Sequence, residues 1–468
     1  MVISVLAIVS GIILFILGYR LDSINGRLEQ GALVQFDSRP NGARISIDGS
    51  ATGSQTSAKR SVIAGTHSFL VEKDGYRPWT KQLSLEAGTL TWLDYIRLVP
   101  TDLVKQTVRS YESVVGVKTA PDLQTILVQQ KADTPSFELV DIRNKEVRST
   151  TITLPQEAYS DPTTDGVTHT FSLATWDESG RHILVKHTYN ETIEWIVMDT
   201  EDIASSVNVT RLLSIPLGDV QFAGTSGNTL YGLANGDVRR LDLSSATISR
   251  VLASKVESFD MYKNTIFTYV GQNPTNPDQR VVGFYRDGDE EPYVLQTFDD
   301  ASARLAVDTV RYHTSDYLAY AENDKVTVLQ GQYPNADQSR TDALNTVAEF
   351  TLPSAIDRLS FSPEGDYVVA QAGVTLKSYE VEHLRTNTAT IETSESQSHV
   401  MQWLDKAYMW AVYDGHLSIR EFDGTNVNVI MPMEPGFDAT LSQNGRYIYG
   451  VNNTDGTYRL ERVTMILE

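Results

Sequence analysis

Eight histidines and no cysteine limit the chemistry open to this 468-residue chain. Without cysteine there is no disulfide, no thiolate metal ligand and no thiol nucleophile. Only His182 and His187 lie close together in sequence, and five residues along a strand place two side chains on opposite faces. The chain contains no HExxH pair, no G-x-S-x-G elbow and no Walker-type phosphate loop. A glycan-cleaving carboxylate pair would draw on Asp177, Glu178, Glu364 and Asp366, but all four stand beside turn signals and read as solvated turn residues. The run RDGDEEP, Arg286 to Pro292, lacks the twelve-residue calcium-loop pattern and reads as an exposed turn. Asn190 and Asn208 open sequons of a kind that arises often by chance. Trp176, Trp195, Trp403 and Trp410 sit in or beside strands, where core packing is the first expectation; on a loop face, any of them could stack on a sugar or anchor a partner. No residue is assigned as catalytic, cofactor-binding or metal-binding, no binding residue is singled out, and no cofactor is implied.

The elements that must carry these residues follow from patterning. A hydrophobic content of 41% with 21% charged residues is that of a globular chain, and its length predicts two or more folded units. Net charge is −21, unevenly spread: residues 1–30 are neutral, residues 31–100 carry +2 and residues 101–468 carry −23. A field of that sign repels phosphate backbones, which excludes nucleic acid as a partner of the C-terminal part and leaves basic partners or cations open.

Val2 to Leu17, VISVLAIVSGIILFIL, holds no charge, and with Gly18 and Tyr19 approaches the length of a membrane span. It lacks the basic start and small-residue cleavage site of a removable signal, so the expectation is a transmembrane anchor over residues 1–19, contacting the membrane through Val2 to Leu17, followed by a linker over residues 20–30.

Residues 31–100 read as a small β module. In QFDSRPNGARISIDG the alternations Val34, Phe36 and Ile45, Ile47 give two strands, with Pro40, Asn41 and Gly42 making the turn between them. Ala64-Gly65 and Asp74-Gly75 punctuate further strands, and Leu90, Trp92 and Tyr95 are available to the core. Ser38, Pro40, Gly42-Ala43, Ile45, Ile47 and Asp48-Gly49, followed by Ala64-Gly65, His67, Phe69 and Gly75-Tyr76, resemble the PEGA domain. That resemblance implies a small prealbumin-like sandwich on a bacterial envelope or surface protein. It also implies a spacer role beside an anchor, with the C-terminal region outside the cytoplasm.

From about Thr101 no amphipathic helix of convincing length is visible, and one phrase recurs: a strand end, a polar turn with Gly, then an alternating strand. ATWDESGRHILVKH, SFSPEGDYVVAQA and TLSQNGRYIYGVN carry it clearly. Eight anchors, at Thr119, Thr175, Phe222, Phe259, Tyr312, Phe361, Trp403 and Leu441, lie 37 to 56 residues apart, the period of four-stranded propeller blades. Eight blades are expected over 101–468, with seven as the alternative. Few strands remain after Leu441, so Leu103 to Tyr111 is expected to complete the last blade. The phrase from Phe361 to Gly365 resembles WD40-like and TolB-type propeller repeats.

The fold class expected is therefore all-β: a transmembrane helix, a PEGA sandwich and a β-propeller. The function expected is a single-pass cell-membrane protein, without catalysis, whose propeller engages a protein or an envelope polymer outside the cytoplasm. A propeller hydrolase or lyase acting on glycan, and a structural subunit of an envelope assembly, are the alternatives.

Overall fold

A computed structural model describes Val9 and residues 19–21, 28–161, 166–334, 344–395 and 399–467. The chain divides into two units, one comprising the chain up to Val104 and from Thr464 onward, the other Lys105–Val463. One expectation is corrected here: among the described residues no helix is long and apolar enough to cross a membrane, so the transmembrane helix drops out of the fold class. Its expected span, residues 2–17, lies outside the described residues apart from Val9.

The smaller unit consists of two four-stranded sheets. One runs Ser50–Gln55, Arg44–Ile47, Gly65–Glu72, Trp79–Leu85. In the other, Leu28–Arg39 pairs antiparallel with Tyr19–Leu21 and Ala58–Ile63 and parallel with Leu90–Arg97. Alternation puts Val34, Phe36, Ile45, Phe69 and Val71 inward, with Trp79 closing the core. The motif residues hold the turns. Asp48 and Gly49 both take positive φ, 50° and 75°, and the Asp48 carboxylate accepts from the Ser68 N–H at 2.9 Å and pairs with His67 Nδ1 at 2.6 Å. Trp92 departs from its expected place: Leu93 and Ile96 face the core, and Trp92 is 44% exposed with Lys59 over its ring. Leu93 is the residue in parallel register with buried Phe36, and an odd step along the strand turns Trp92 the other way.

Among its described residues the larger unit has eight four-stranded antiparallel sheets, each a simple meander. We call them blades 1–8; their inner strands begin at Gly116, His169, Asp219, Val256, Leu305, Arg358, Gln402 and Thr440. The eighth is completed from the other end of the unit: Lys105–Tyr111 pairs with Thr457–Thr464. Middle strands are buried on both faces by neighbouring blades, so they read as continuous apolar runs such as Tyr408–Tyr413, whereas outer strands such as Arg385–Thr390 alternate. The packed clusters each span two consecutive blades. Leu127 and Phe137 of blade 1 meet Phe171 and Val185 of blade 2, and Val117 and Ile126 of blade 1 meet Tyr449 and Val451 of blade 8, which closes the ring. The unit is a closed eight-bladed β-propeller.

In the larger unit the only α-helix among the described residues is Val209–Leu213, whose first turn is capped by Asn208 accepting from the Arg211 N–H at 2.9 Å.

Candidate functional site

An inner strand turns alternate side chains toward the propeller's channel, and in three successive blades a carboxylate occupies such a strand: Asp219 in blade 3, Asp260 in blade 4 and Asp308 in blade 5. Arg358 occupies the inner strand of blade 6. These residues interact electrostatically in order, Asp219 with Asp260, Asp260 with Asp308, and Asp308 with Arg358, so they form one continuous arc.

Confinement sets the electrostatics. Burial raises the carboxyls of Asp219 and Asp260 above the ordinary range, and the charge of Asp219 raises Asp260 further. Asp260 still meets solvent, as a group lining a channel walled by protein does. Asp308 is pushed up to about 6 by burial, against the pull of two backbone N–H donors. Among the described residues, two cations act on the arc. Lys186 holds Asp219 down somewhat, and Arg358 is itself desolvated, with its pKa lowered by burial. The arc is therefore deficient in positive charge and favours a cation that enters the channel.

Several polar side chains of this region serve the ring. Asp308 accepts from the Thr309 N–H at 2.7 Å and, across the blade boundary, from the Phe361 N–H at 2.7 Å. Gln221 of blade 3 donates to the Phe259 carbonyl at 2.7 Å and accepts from the Met261 N–H at 3.2 Å, with its amide 3.2 Å from Asp260. Gln371 links blade 6 to blade 7 in the same manner, through the His399 carbonyl and the Met401 N–H. Among the described residues, Asp219 and Asp260 accept no such inter-blade backbone bond; Asp219 accepts from the Val220 N–H at 2.9 Å and Asp260 from the Gln221 amide.

The raised Asp308 carboxyl leads to a pH prediction. It binds its proton more tightly folded than unfolded, so the stability it contributes is complete below the unfolded value of about 3.8 and is lost as pH rises through about 6. Replacing Asp308 with Asn is expected to flatten the fall of unfolding free energy between pH 4 and 7, measured by urea titration. An unchanged slope would contradict the placement of this group.

The residues singled out from sequence are dispersed. Asp177 and Glu178 lie at the first turn of blade 2, and Glu364 and Asp366 at the first turn of blade 6, so the structure does not bring them together. Asp177 is fully buried and organises its own turn, accepting from the Arg181 and His182 N–H groups at 3.1 Å and from Ser179 Oγ at 2.7 Å. Arg286–Pro292 forms the turn between the two outer strands of blade 4, and among the described residues no group of three or more acidic or histidine side chains is placed to hold a metal ion. Trp195 and Trp410 are buried, Trp195 donating to the Leu217 carbonyl at 3.1 Å, while half-buried Trp403 donates to Ser360 Oγ at 3.1 Å.

His182 and His187 belong to separate networks. The sequence reading missed the partner of the second: His169, whose Nδ1 lies 2.9 Å from His187 Nε2. His187 Nδ1 lies 3.0 Å from Glu194, and His169 Nε2 lies 3.3 Å from Asp161.

Residues 32–101 match the PEGA domain family. This part of the chain is a PEGA domain. Searched against curated proteins, the chain has no match. Among solved structures it is similar to oligogalacturonate lyase from Vibrio parahaemolyticus, with 11% identity over 78% of this chain and 98% of that one, TM-score 0.41. It is also similar to Kluyveromyces lactis Hsv2, with 11% identity over 74% and 97%, TM-score 0.40. A third is the β-propeller domain of Myceliophteria thermophila Cps50 (Swd1), with 11% identity over 77% and 98%, TM-score 0.38.

Proposed function

We propose that this chain is a non-catalytic binding protein whose propeller receives a basic group of a protein partner in its channel, with the PEGA domain as spacer, acting outside the cytoplasm. The observation that carries the reading is the arc of Asp219, Asp260 and Asp308 on consecutive inner strands, short of counter-charge. A carboxyl near 6 beside other carboxylates is also what a glycan-cleaving acid would need. Both Asp308 oxygens are occupied by backbone N–H groups, however, which suits a strut between blades and supports binding over cleavage.

Membrane-impermeant crosslinking on intact cells, comparing the natural chain with the Asp219→Asn, Asp260→Asn double variant, tests this. Defined protein adducts that fall at least several-fold in the variant are expected. Equal adducts in both chains would remove the channel from the interaction, and failure of the propeller to label while known surface proteins label would overturn the extracytoplasmic assignment.

A further inference from the structure

Among the described residues every blade ends on a strand with one unpaired edge, and seven of the eight edges are guarded in the ways that prevent unwanted pairing. The outer strands of blades 1 and 6, Arg148–Thr153 and Arg385–Thr390, start on arginine and are otherwise mostly small polar residues. That of blade 8 carries Lys105 and Arg109, and that of blade 5, Leu344–Thr351, carries Glu349 paired with Lys325 at 2.7 Å. Blade 7 ends on Pro432, and the outer strands of blades 2 and 3, Val207–Asn208 and Thr247–Ile248, are two residues long. Blade 4 differs. Its outer strand Tyr293–Phe298, YVLQTF, has no charge and no proline, Val294 is 41% exposed, and its only ladder partner among the described residues is Arg280–Arg286.

Beside this edge the blade surface is hollowed. A bulge between the pairs Val282–Gln296 and Gly283–Val294 brings Val294 and Thr297 onto one face, opposite Gly283 and Val281. Gly283 has no side chain because the Tyr269 ring occupies the space a Cβ would need, 2.5 Å away. The result is a groove of about 710 Å³ with Leu252, Ala253, Tyr269, Pro292 and Val294 in its walls, within the size range of ligand sites. Tyr269 is 98% buried. At the rim Glu290 and Glu291 are exposed and unpaired among the described residues, while Arg250 is already bonded to the Val251 and Asp289 carbonyls.

We infer that the free edge of blade 4 takes an extended peptide of a protein partner as a fifth strand. Apolar side chains of the peptide lie in the groove over Tyr269 and Val294, and a lysine or arginine of the peptide meets Glu290 and Glu291. Backbone pairing supplies the affinity, and the groove and the two carboxylates select alternating apolar and basic residues. This site is separate from the channel and stands or falls independently of it.

The test uses the full chain and a fluorescent octapeptide alternating valine and lysine, with two controls: its valine–glutamate counterpart, and a copy N-methylated at alternate residues, which cannot donate to an edge. Saturable binding of the first peptide alone is expected. It should weaken more than tenfold in Val294→Lys, an exposed change that keeps the fold, and severalfold in Glu290→Gln, Glu291→Gln, while Asp219→Asn, Asp260→Asn leaves it unchanged. Equal binding of the N-methylated copy or of the glutamate peptide overturns the inference. So does loss of binding in the channel variant with none in Val294→Lys, and so does absence of saturable binding.

Discussion

Replacing Glu194 with Gln should cost the propeller about 3 kcal/mol at pH 7 and almost nothing near pH 2. Burial by itself would raise this carboxyl. Hydrogen bonds from His187 at 3.0 Å and from the Ser160 hydroxyl and N–H at 2.5 and 3.0 Å outweigh burial and hold it at about 2, well below its ordinary 4.5. A depressed carboxyl contributes stability that is complete above about 4.5 and lost as pH falls through about 2. The variant has no charge to lose over that window, so its denaturation midpoint should converge on that of the natural chain as the solution is acidified. A penalty that stays constant from pH 7 to 3 would mean that Glu194 acts through shape alone.

The largest effect is expected at the seam of the ring. Tyr449 is fully buried between blades 8 and 1, among Val117, Ile126, Val128 and Leu460, with its hydroxyl 3.5 Å from Arg462. Truncation to Ala removes a ring's worth of contacts and leaves a cavity, a loss of about 3–5 kcal/mol by analogy with other buried aromatics. Phe259→Ala in blade 4 should cost a similar amount, since Phe259 is also buried. The two should differ in where the molecule loosens. Hydrogen exchange at Lys105–Tyr111 and Thr457–Thr464 should accelerate in Tyr449→Ala and stay protected in Phe259→Ala. Unchanged protection at the seam in Tyr449→Ala would show that the closing strand is held by something other than this cluster.

Much of the ring is legible in the sequence because its repeat is long and its turns are chemically distinct. Each of the eight anchors, from Thr119 to Leu441, falls in the inner strand of a different blade, and Leu103 to Tyr111 contains the strand that completes blade 8. The channel arc is not legible. Asp219 precedes its anchor by three residues, Asp260 follows its anchor by one and Asp308 precedes its anchor by four, so no fixed offset marks them; register alone turns them inward. The His169–His187 contact is not legible either, because the two lie 18 residues apart and meet only through the pairing of Phe171 with His187 across two strands. Trp92 reads as a core residue because an aromatic in an alternating run looks inward-facing until the parallel partner fixes which residues oppose Phe36.

The closing strand also sets an order of events. Gln106 and Arg462, bonded at 2.8 Å in blade 8, are 356 residues apart in the chain. Contacts of that separation are slow to form, because the loop they close must lose its freedom before any pairing repays it. During synthesis, Lys105–Tyr111 emerges first among the strands of the ring and waits unpaired while seven blades are made. Until the last strand of the propeller leaves the ribosome, the growing protein presents an unfilled sheet edge at each end, and this is the period in which it is most open to mispairing with another copy of itself.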